Sequence, residues 1–447
     1  MSDDTEYSKL FGCNVHKTIR LSPMALKIIN TPEFQRMRDI NQLGLCYQVY
    51  PAANHSRFEH SLGVYHLTDK MVSKIQHQYP NKDYIIPELT NPLTKLTSKI
   101  AECIKLAGLL HDIGHGPFSH IFDDIFLRGV DHPNANHEVR SCLITEILCR
   151  RELKNELDDG HIKFIQSVIN PSDSHKGALY QIVANKLNGI DVDKFDYLKR
   201  DAINLGLQLD FDEYRLINEF IIDTNGNIAY PKHSTTDIYS MYHSRYMMHK
   251  KVYSHKTVKL LEVMLEDLFE KINPIFKMSE SIRDMKEFCK YTNDTIFSYI
   301  KLIVDPPPYI QNSLTPDQLR RVSEAFRIHN NISNRKLYQV VYESVNESGS
   351  KVLLEGFLTW IETEHGIPKS NFKIVETTIG FIGSGENPFS NIYIYDKKEN
   401  NESHIIDKNY FSGLINDIRE THAYLICRKR SISKRVINLL NQYKSQH

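Results

Sequence analysis

From about residue 31 to residue 301, apolar side chains return every three or four positions in one segment after another. That spacing is the pitch of an α-helix with one buried face, so most of the chain must pack helix against helix. Thr31-Pro32-Glu33 reads as an N-cap with proline at the first helical position, and Gly44 as the stop. Further helices are expected over about 57–78, 96–113, 134–151, 161–169, 177–204 and 235–272. The exception is Asn225-Gly226, flanked by Phe220-Ile221-Ile222 and Ile228-Ala229-Tyr230, which signals a small β-hairpin.

Asp305-Pro306-Pro307-Pro308 halts the helical pattern at a rigid turn, and beyond roughly residue 330 the texture changes. Residues 337–342, 372–376, 392–395 and 423–427 read as strands, and 351–364 and 433–443 as helices. A chain of 447 residues exceeds what one hydrophobic core usually fills. The expected fold is mainly α, a helical core over 1–330 with a smaller C-terminal α+β lobe over 331–447. Gly383-Ser384-Gly385 is too short for a phosphate loop and reads as a turn.

Lys plus Arg (55) balance Asp plus Glu (55), so no overall basic field attracts nucleic acid or an anionic membrane. Nucleic acid is not a favoured partner, and any anion site must be local. Arg428-Lys429-Arg430, with Lys434 and Arg435, reads as a solvated helix start rather than a nuclear-localisation patch. Seven cysteines form no C-x-x-C pair, and no signal segment or membrane-spanning apolar run is visible. The expectation is a soluble intracellular protein, cytoplasmic before nuclear.

Several of the 21 histidines recur at short spacings beside aspartates. H-S-R-F-E-H spans 55–60, L-L-H-D-I-G-H-G-P-F-S-H spans 109–120, and G-I-D-V-D-K-F-D-Y-L-K-R-D spans 189–201. A lone histidine on a helix is usually a satisfied core or surface group. The set is harder to dismiss. His111-Asp112 closes an apolar helix, Gly114 and Gly116 permit close backbone approach, and His60 and Asp193 complete two imidazoles and two carboxylates. Such a mixed N/O set suits Fe, Mn, Co, Zn or, less comfortably, Mg, with positions left for water and a phosphate oxygen.

Asp193, Tyr197 and Asp201 stand at i, i+4 and i+8 on one helix face, with Lys194 beside them. Arg245, His249, Tyr253 and Lys256 form a second stripe of cations around an aromatic ring. Cations for phosphates and a ring face for sugar or base together suit a nucleotide.

These motifs resemble the HD superfamily, and more closely its SAM-and-HD-domain deoxynucleoside triphosphate triphosphohydrolases, without their SAM domain. The resemblance implies a helical HD-domain catalytic core, with the C-terminal lobe serving oligomerisation or regulation. It implies His60, His111, Asp112 and Asp193 as ligands of a divalent metal, with Mg bound alongside the nucleotide. It places Arg57, Lys194, Tyr197 and Arg245 on the triphosphate, Gln42 and Asp201 on the sugar 3′-hydroxyl, and Leu43 and Tyr253 where a 2′-hydroxyl would sit. His115, His120 and His137 would lie near the α-phosphate, with Asp123 orienting His120. The implied chemistry is attack of metal-activated water on the α-phosphorus, His120 protonating the departing 5′-oxygen. A dNTP, dGTP included, would give deoxynucleoside and inorganic triphosphate.

The same resemblance implies a homo-oligomer, dimer or tetramer, with activating nucleotides held by Lys9, Leu10, Gln35, Arg38, Arg215, Lys251, His255 and Lys256. Asn30 stands where the family carries an aspartate that reads guanine, and an amide presents a donor to one of the two N–H groups. Pro231 and His233 replace basic residues of that site, and Ser254 replaces a glutamine of the substrate pocket. Two other functional classes stay open: a nucleotidase or phosphodiesterase on the same metal set, and a non-catalytic nucleotide or single-stranded nucleic-acid binder.

Overall fold

The computed structural model describes residues 8–307, 314–382, 387–396, 402–413, 415 and 417–446. The chain forms two compact units. One comprises Met1–Ser244, Met278–Ile296 and Pro388–Ile415; the other comprises Arg245–Lys277, Phe297–Asn387 and Asn416–His447. This grouping differs from a single cut near residue 330. The reason lies in strand pairing, described below.

The first unit opens with a hairpin, β1 (Lys9–Cys13) and β2 (Lys17–Leu21), followed by α1 (Pro23–Ile29) and α2 (Pro32–Gln35). Thr31 caps α2 as expected, but the helix becomes a 3₁₀ turn and ends at Asp39, while Gly44 turns with φ +54° in a later loop. Then come α3 (Arg57–Gln78), the hairpin β3 (Asp83–Ile85) and β4 (Leu93–Lys95), α4 (Ser98–Leu110), α5 (His137–Glu152) and α6 (Asp159–Ile169). Asn136 and Asp158 start α5 and α6 by accepting bonds from Val139 and His161 backbone N–H groups.

The helix expected over 177–204 is two pieces. Only a 3₁₀ turn forms at Ala178–Gln181; Asn185, Asn188 and Gly189 (φ +72°) make a loop, and Asp191 caps α7 (Val192–Leu205). Asn and Asp side chains that bond to nearby backbone compete with the helix and here win. After α8 (Glu213–Glu219) the Asn225-Gly226 hairpin appears as β5 (Ile221–Ile222) and β6 (Ile228–Pro231).

α9 (Thr235–Met248) and α10 (Lys256–Phe276) replace the continuous helix expected over 235–272. A π-turn at His249–Tyr253 breaks it, and His255 Nδ1 accepts from Thr257 N–H to start the next helix. Two single-turn helices, α11 (Met278–Ser281) and α12 (Met285–Phe288), precede α13 (Asn293–Val304) and α14 (Pro316–Ser333). α13 ends just before Asp305, where the prolines begin; Pro308 and the Gly383-Ser384-Gly385 turn lie outside the described residues.

The remaining elements are β7 (Gln339–Val345), α15 (Ser350–His365), β8 (Phe372–Gly380), β9 (Tyr393–Tyr395), β10 (Ser403–Ile405), β11 (Arg419–Cys427) and α16 (Ser433–Gln446). In the second unit β11 lies between β7 and β8, antiparallel to both. Its alternation serves two cores. Leu425 and Cys427 pack with Leu354, Phe357 and Leu440, while Tyr424 and Ile426 pack with Leu260 and Val263 of α10. β9 and β10 belong elsewhere: β9 pairs parallel to β6, giving the order β10-β9-β6-β5 in the first unit.

Arg428 is not part of a solvated run. Its guanidinium holds Asp267 through bonds of 2.7 Å from Nε and from Nη2. Among the described residues, no helix is long and apolar enough to cross a membrane. The chain is mainly helical, with a smaller strand-containing C-terminal region.

Candidate active site

The first unit's core brings three helices to one point. Val64, Leu67, Met71 and Ile75 of α3 and Leu106, Leu109 and Leu110 of α4 are buried to within 2% exposure. A side chain so buried contributes about 1.5–3 kcal/mol. α3 carries His60, the end of α4 delivers His111 and Asp112, and the first turn of α7 delivers Asp193.

These four side chains converge. His60 Nε2 lies 3.0 Å from Asp193 Oδ1, 3.2 Å from His111 Nε2 and 3.4 Å from Asp112 Oδ2. His111 Nε2 lies 3.4 Å from both Asp112 Oδ2 and Asp193 Oδ1. Bonds of ~2.1 Å to a central ion give ligand–ligand edges of about 3.0 Å in an octahedron and about 3.4 Å in a tetrahedron. The separations fit a metal ion.

The other ring nitrogens strengthen that fit. His60 Nδ1 is 2.8 Å from Asp196 Oδ2, and His111 Nδ1 is 2.9 Å from the Gly108 carbonyl. Both acceptors require an N–H, so in the neutral rings each Nε2 keeps its lone pair. Two lone pairs 3.2 Å apart repel unless a cation lies between them. Burial opposes charge on these rings, yet Asp112, Asp193 and Asp196 override it and raise His60 well above the usual histidine range. His111, where burial is likewise overridden by Asp112 and Asp193, is raised to about 9. The cluster demands positive charge, as protons or as a metal.

His115, His120 and His137 stand beside it. His115 stacks on His137 at 4.0 Å between ring centroids, and His120 meets the pair edge-on at 5.1 and 5.9 Å. His115 Nε2 is 3.3 Å from Asp112 Oδ1. Asp123 does not orient His120: its Oδ2 is 2.6 Å from His115 Nδ1, and its Oδ1 is gripped by the fully buried Arg140. The partner of His120 is Asp124, with Oδ2 2.9 Å from Nδ1 and both side chains 61% exposed. Left-handed backbone at Phe118 and Ser119, followed by a π-turn over Ile121–Phe126, sets which aspartate faces which ring. Desolvation opposes protonation of His120, and the bond to Asp124 outweighs it, so its pKa is raised. His137 is pushed well down by burial and by the charge of His115.

Of the expected substrate residues, Arg57 pairs with Asp112 and donates from Nε to Ser119 Oγ at 3.0 Å. Lys194 Nζ is 3.2 Å from Asp191 Oδ2, and the Tyr197 ring centroid is 6.5 Å from that of His60. Asp201 is buried with its Oδ1 2.6 Å from His55 Nε2. Close by, the Gln42 N–H donates to the His55 carbonyl at 3.0 Å. Among the described residues, Gln42 Oε1 and His55 Nδ1 have no hydrogen-bond partner although both are buried, which is costly unless a ligand completes them. Leu43 is half-buried next to Gln42.

Arg245 and Tyr253 belong to the second unit, where Arg245 donates to the Gly380 carbonyl and Tyr253 meets His249 edge-on at 4.9 Å. Among the regulatory expectations, Lys9, Leu10, Asn30, Arg38 and Arg215 are exposed on the first unit. Gln35 accepts from Arg38 Nε at 2.8 Å, Arg215 pairs with Asp237 at 3.1 Å, and Asn30 ends α1. On the second unit Lys251 is exposed, His255 serves as a helix cap, and Lys256 pairs with Glu343 at 3.1 Å.

Sequence reading missed Asp196, Arg200, His16, Arg140, Asp124 and His55 as supports. Asp196 and Arg200 left a trace, an acid and a base one turn apart on the helix of Asp193, as did Asp124, one turn after His120, and His55, the first residue of the 55–60 motif.

An HD domain family model matches residues 57–201, the span that holds all four converging side chains. The chain is 56% identical over 428 residues to an HD domain-containing protein of Acanthamoeba polyphaga mimivirus, covering 96% of this chain and 94% of that one. It is 30% identical over 458 residues to the deoxynucleoside triphosphate triphosphohydrolase SAMHD1 homolog of Dictyostelium discoideum, covering 100% and 83%. To human deoxynucleoside triphosphate triphosphohydrolase SAMHD1 it is 29% identical over 484 residues, covering 97% and 72%. With that reach of likeness and a ligand cluster in the matched span, the chain belongs to the HD-domain family of hydrolases.

Proposed function

We propose that the chain is a metal-dependent dNTP triphosphohydrolase, cleaving dNTPs, dGTP among them, to deoxynucleoside and inorganic triphosphate. One observation carries the reading: four ligand atoms converge beside a three-histidine cluster, on the helix that also leads to the buried Gln42–His55–Asp201 group. Asp201 follows Asp193 by eight residues, about 12 Å of helical rise, the scale separating a nucleotide's phosphates from the far side of its sugar. SAMHD1 proteins, named for this activity, support the substrate class.

A bound Fe, Mn, Zn or Mg ion would supply Lewis-acid charge to the α-phosphoryl group, held by His60, His111, Asp112 and Asp193. The chain's own residues do the rest. Arg57, Lys194, Tyr197 and Arg245 hold the triphosphate, with Mg as its counter-ion. Gln42 and Asp201 take the 3′-hydroxyl, and Leu43 and Tyr253 exclude a 2′-hydroxyl. His115, fixed by Asp123, and His137 flank the α-phosphate. His120, whose pKa Asp124 raises, gives its proton to the departing 5′-oxygen.

Nucleotide-responsive homo-oligomerisation is the second part of the proposal. Lys9, Leu10, Gln35, Arg38, Arg215, Lys251, His255 and Lys256 would hold the activating nucleotide, with Asn30 reading its base less strictly than a carboxylate would. Light scattering after size exclusion should show assembly promoted by several nucleotides or by none, and Asn30→Asp should shift the choice towards GTP. Strict GTP dependence in the parent would refute this reading of Asn30.

Product analysis tests the activity itself. The purified protein is incubated with each dNTP and NTP under different divalent metals, with and without other nucleotides. Triphosphate plus deoxynucleoside is expected; orthophosphate release would indicate another phosphohydrolase, and no turnover a binding protein.

A further inference from the structure

The metal ligand His60 is held from behind by a buried carboxylate. Asp196 receives His60 Nδ1 on Oδ2 at 2.8 Å, and Arg200, one turn along α7, supplies two more bonds at 2.8 and 2.9 Å. The fourth donor comes from another part of the fold. His16, in the turn between β1 and β2, places Nε2 2.6 Å from Asp196 Oδ1. Its Nδ1 is 3.0 Å from the Tyr214 hydroxyl on α8, which lies 3.3 Å from His66 Nε2 on α3.

One proton assignment satisfies every link. The carboxylate only accepts, so His60 Nδ1 and His16 Nε2 both carry hydrogens. Tyr214 then donates to His16 Nδ1 and accepts from His66 Nε2–H. The wall of α3 is cut to admit this group: a side chain at Gly63 would overlap the Asp196 carboxylate and the Arg200 guanidinium. The hairpin itself is loosely seated, with all of β1 outside the core and only Ile19, Leu21 and His16 buried among its paired strands and turn.

We propose that His16 is a positioning residue for the metal centre, fixing the ring of His60 through Asp196, so that metal retention depends on how the N-terminal hairpin is seated. The proposal rests on the metal-centre reading above. Outer partners of a ligating imidazole are worth ~10- to 100-fold in metal affinity.

The full-length chain, stripped of metal by chelation, would be titrated with Co(II), whose visible spectrum reports ligand geometry. His16→Ala should bind Co(II) about 10- to 100-fold more weakly with an altered spectrum, while the metal-free melting curve stays near the parent's. His16→Gln, which keeps an N–H donor towards Asp196, should recover most of the affinity. Tyr214→Phe, which frees His16 Nδ1 and His66 Nε2 but leaves the His16–Asp196 bond, should fall between, about three- to tenfold weaker. Parent-like affinity and spectrum in His16→Ala would overturn the proposal. Should that variant not fold, parent-like Co(II) binding by Tyr214→Phe overturns it instead. A parent that takes up no Co(II) refutes the metal centre itself, and the proposal falls with it.

Discussion

A ligating imidazole keeps its tautomer and orientation when its other nitrogen is bonded elsewhere, and His60 and His111, the proposed ligands, both have such a bond. Asp193→Ala removes a ligand rather than a support, so turnover should drop by more than about 100-fold together with metal content measured by elemental analysis. Full activity in a metal-free preparation of this variant would refute the metal site. The acid is tested by pH. His120 can donate only below its pKa, which Asp124 raises; Asp124→Asn should therefore move the alkaline limb of kcat/KM to lower pH. An unmoved limb would assign the proton to another group. Asp201→Ala should weaken dNTP use at least tenfold, since a hydrogen bond to a charged group contributes about 1.5–3 kcal/mol; unchanged kinetics would remove Asp201 from the pocket. The four side chains that converge were legible because His and Asp side by side at a helix end have few packing roles. His16 was not: 180 residues separate it from Asp196, and nothing local marks a histidine that folding will carry to a buried carboxylate.

At the scale of elements, glycines set how closely helices pass. Gly114 lets α5 lie on the His111-Asp112 turn, since an added Cβ would meet the His137 carbonyl and the Ser141 N–H. Gly63 does the same where α3 faces Asp196 of α7. Gly63→Ala should cost about 1–3 kcal/mol by overpacking and lower metal retention, as read by denaturant unfolding and elemental analysis. Parent-like stability and metal content would mean the two helices separate more easily than their packing suggests. The long helix α3 was readable because apolar side chains return every three or four residues over most of its length, from Phe58 to Ile75. The break between α9 and α10 was not, because a π-turn keeps the composition of a helix while changing its geometry.

For the molecule as a whole, order along the chain and order in space part company. β9 pairs with β6 although more than 160 residues lie between them, and period-2 alternation tells that a strand exists without naming its partner. A chain ended at residue 330 keeps every metal ligand but leaves the β6 edge bare. It should be insoluble or melt more than about 5 °C below the full chain in a thermal scan. Equal melting temperatures would show that the late strands are dispensable.

The segment carrying β9 also reaches the loop that leads into α7. Asn391 donates to the Leu187 carbonyl at 3.1 Å and receives a bond from Asn188 on its own carbonyl at 3.0 Å, while Phe389 packs against Tyr242. That loop ends in Asp191, the cap that sets the turn bearing Asp193. On the ribosome, then, His60, His111, Asp112 and Asp193 are made in the first half of synthesis, whereas the segment that braces the loop before Asp193 emerges near its end. A nascent chain stalled in between would hold those four side chains but lack the Asn391 bonds that fasten the loop before Asp193.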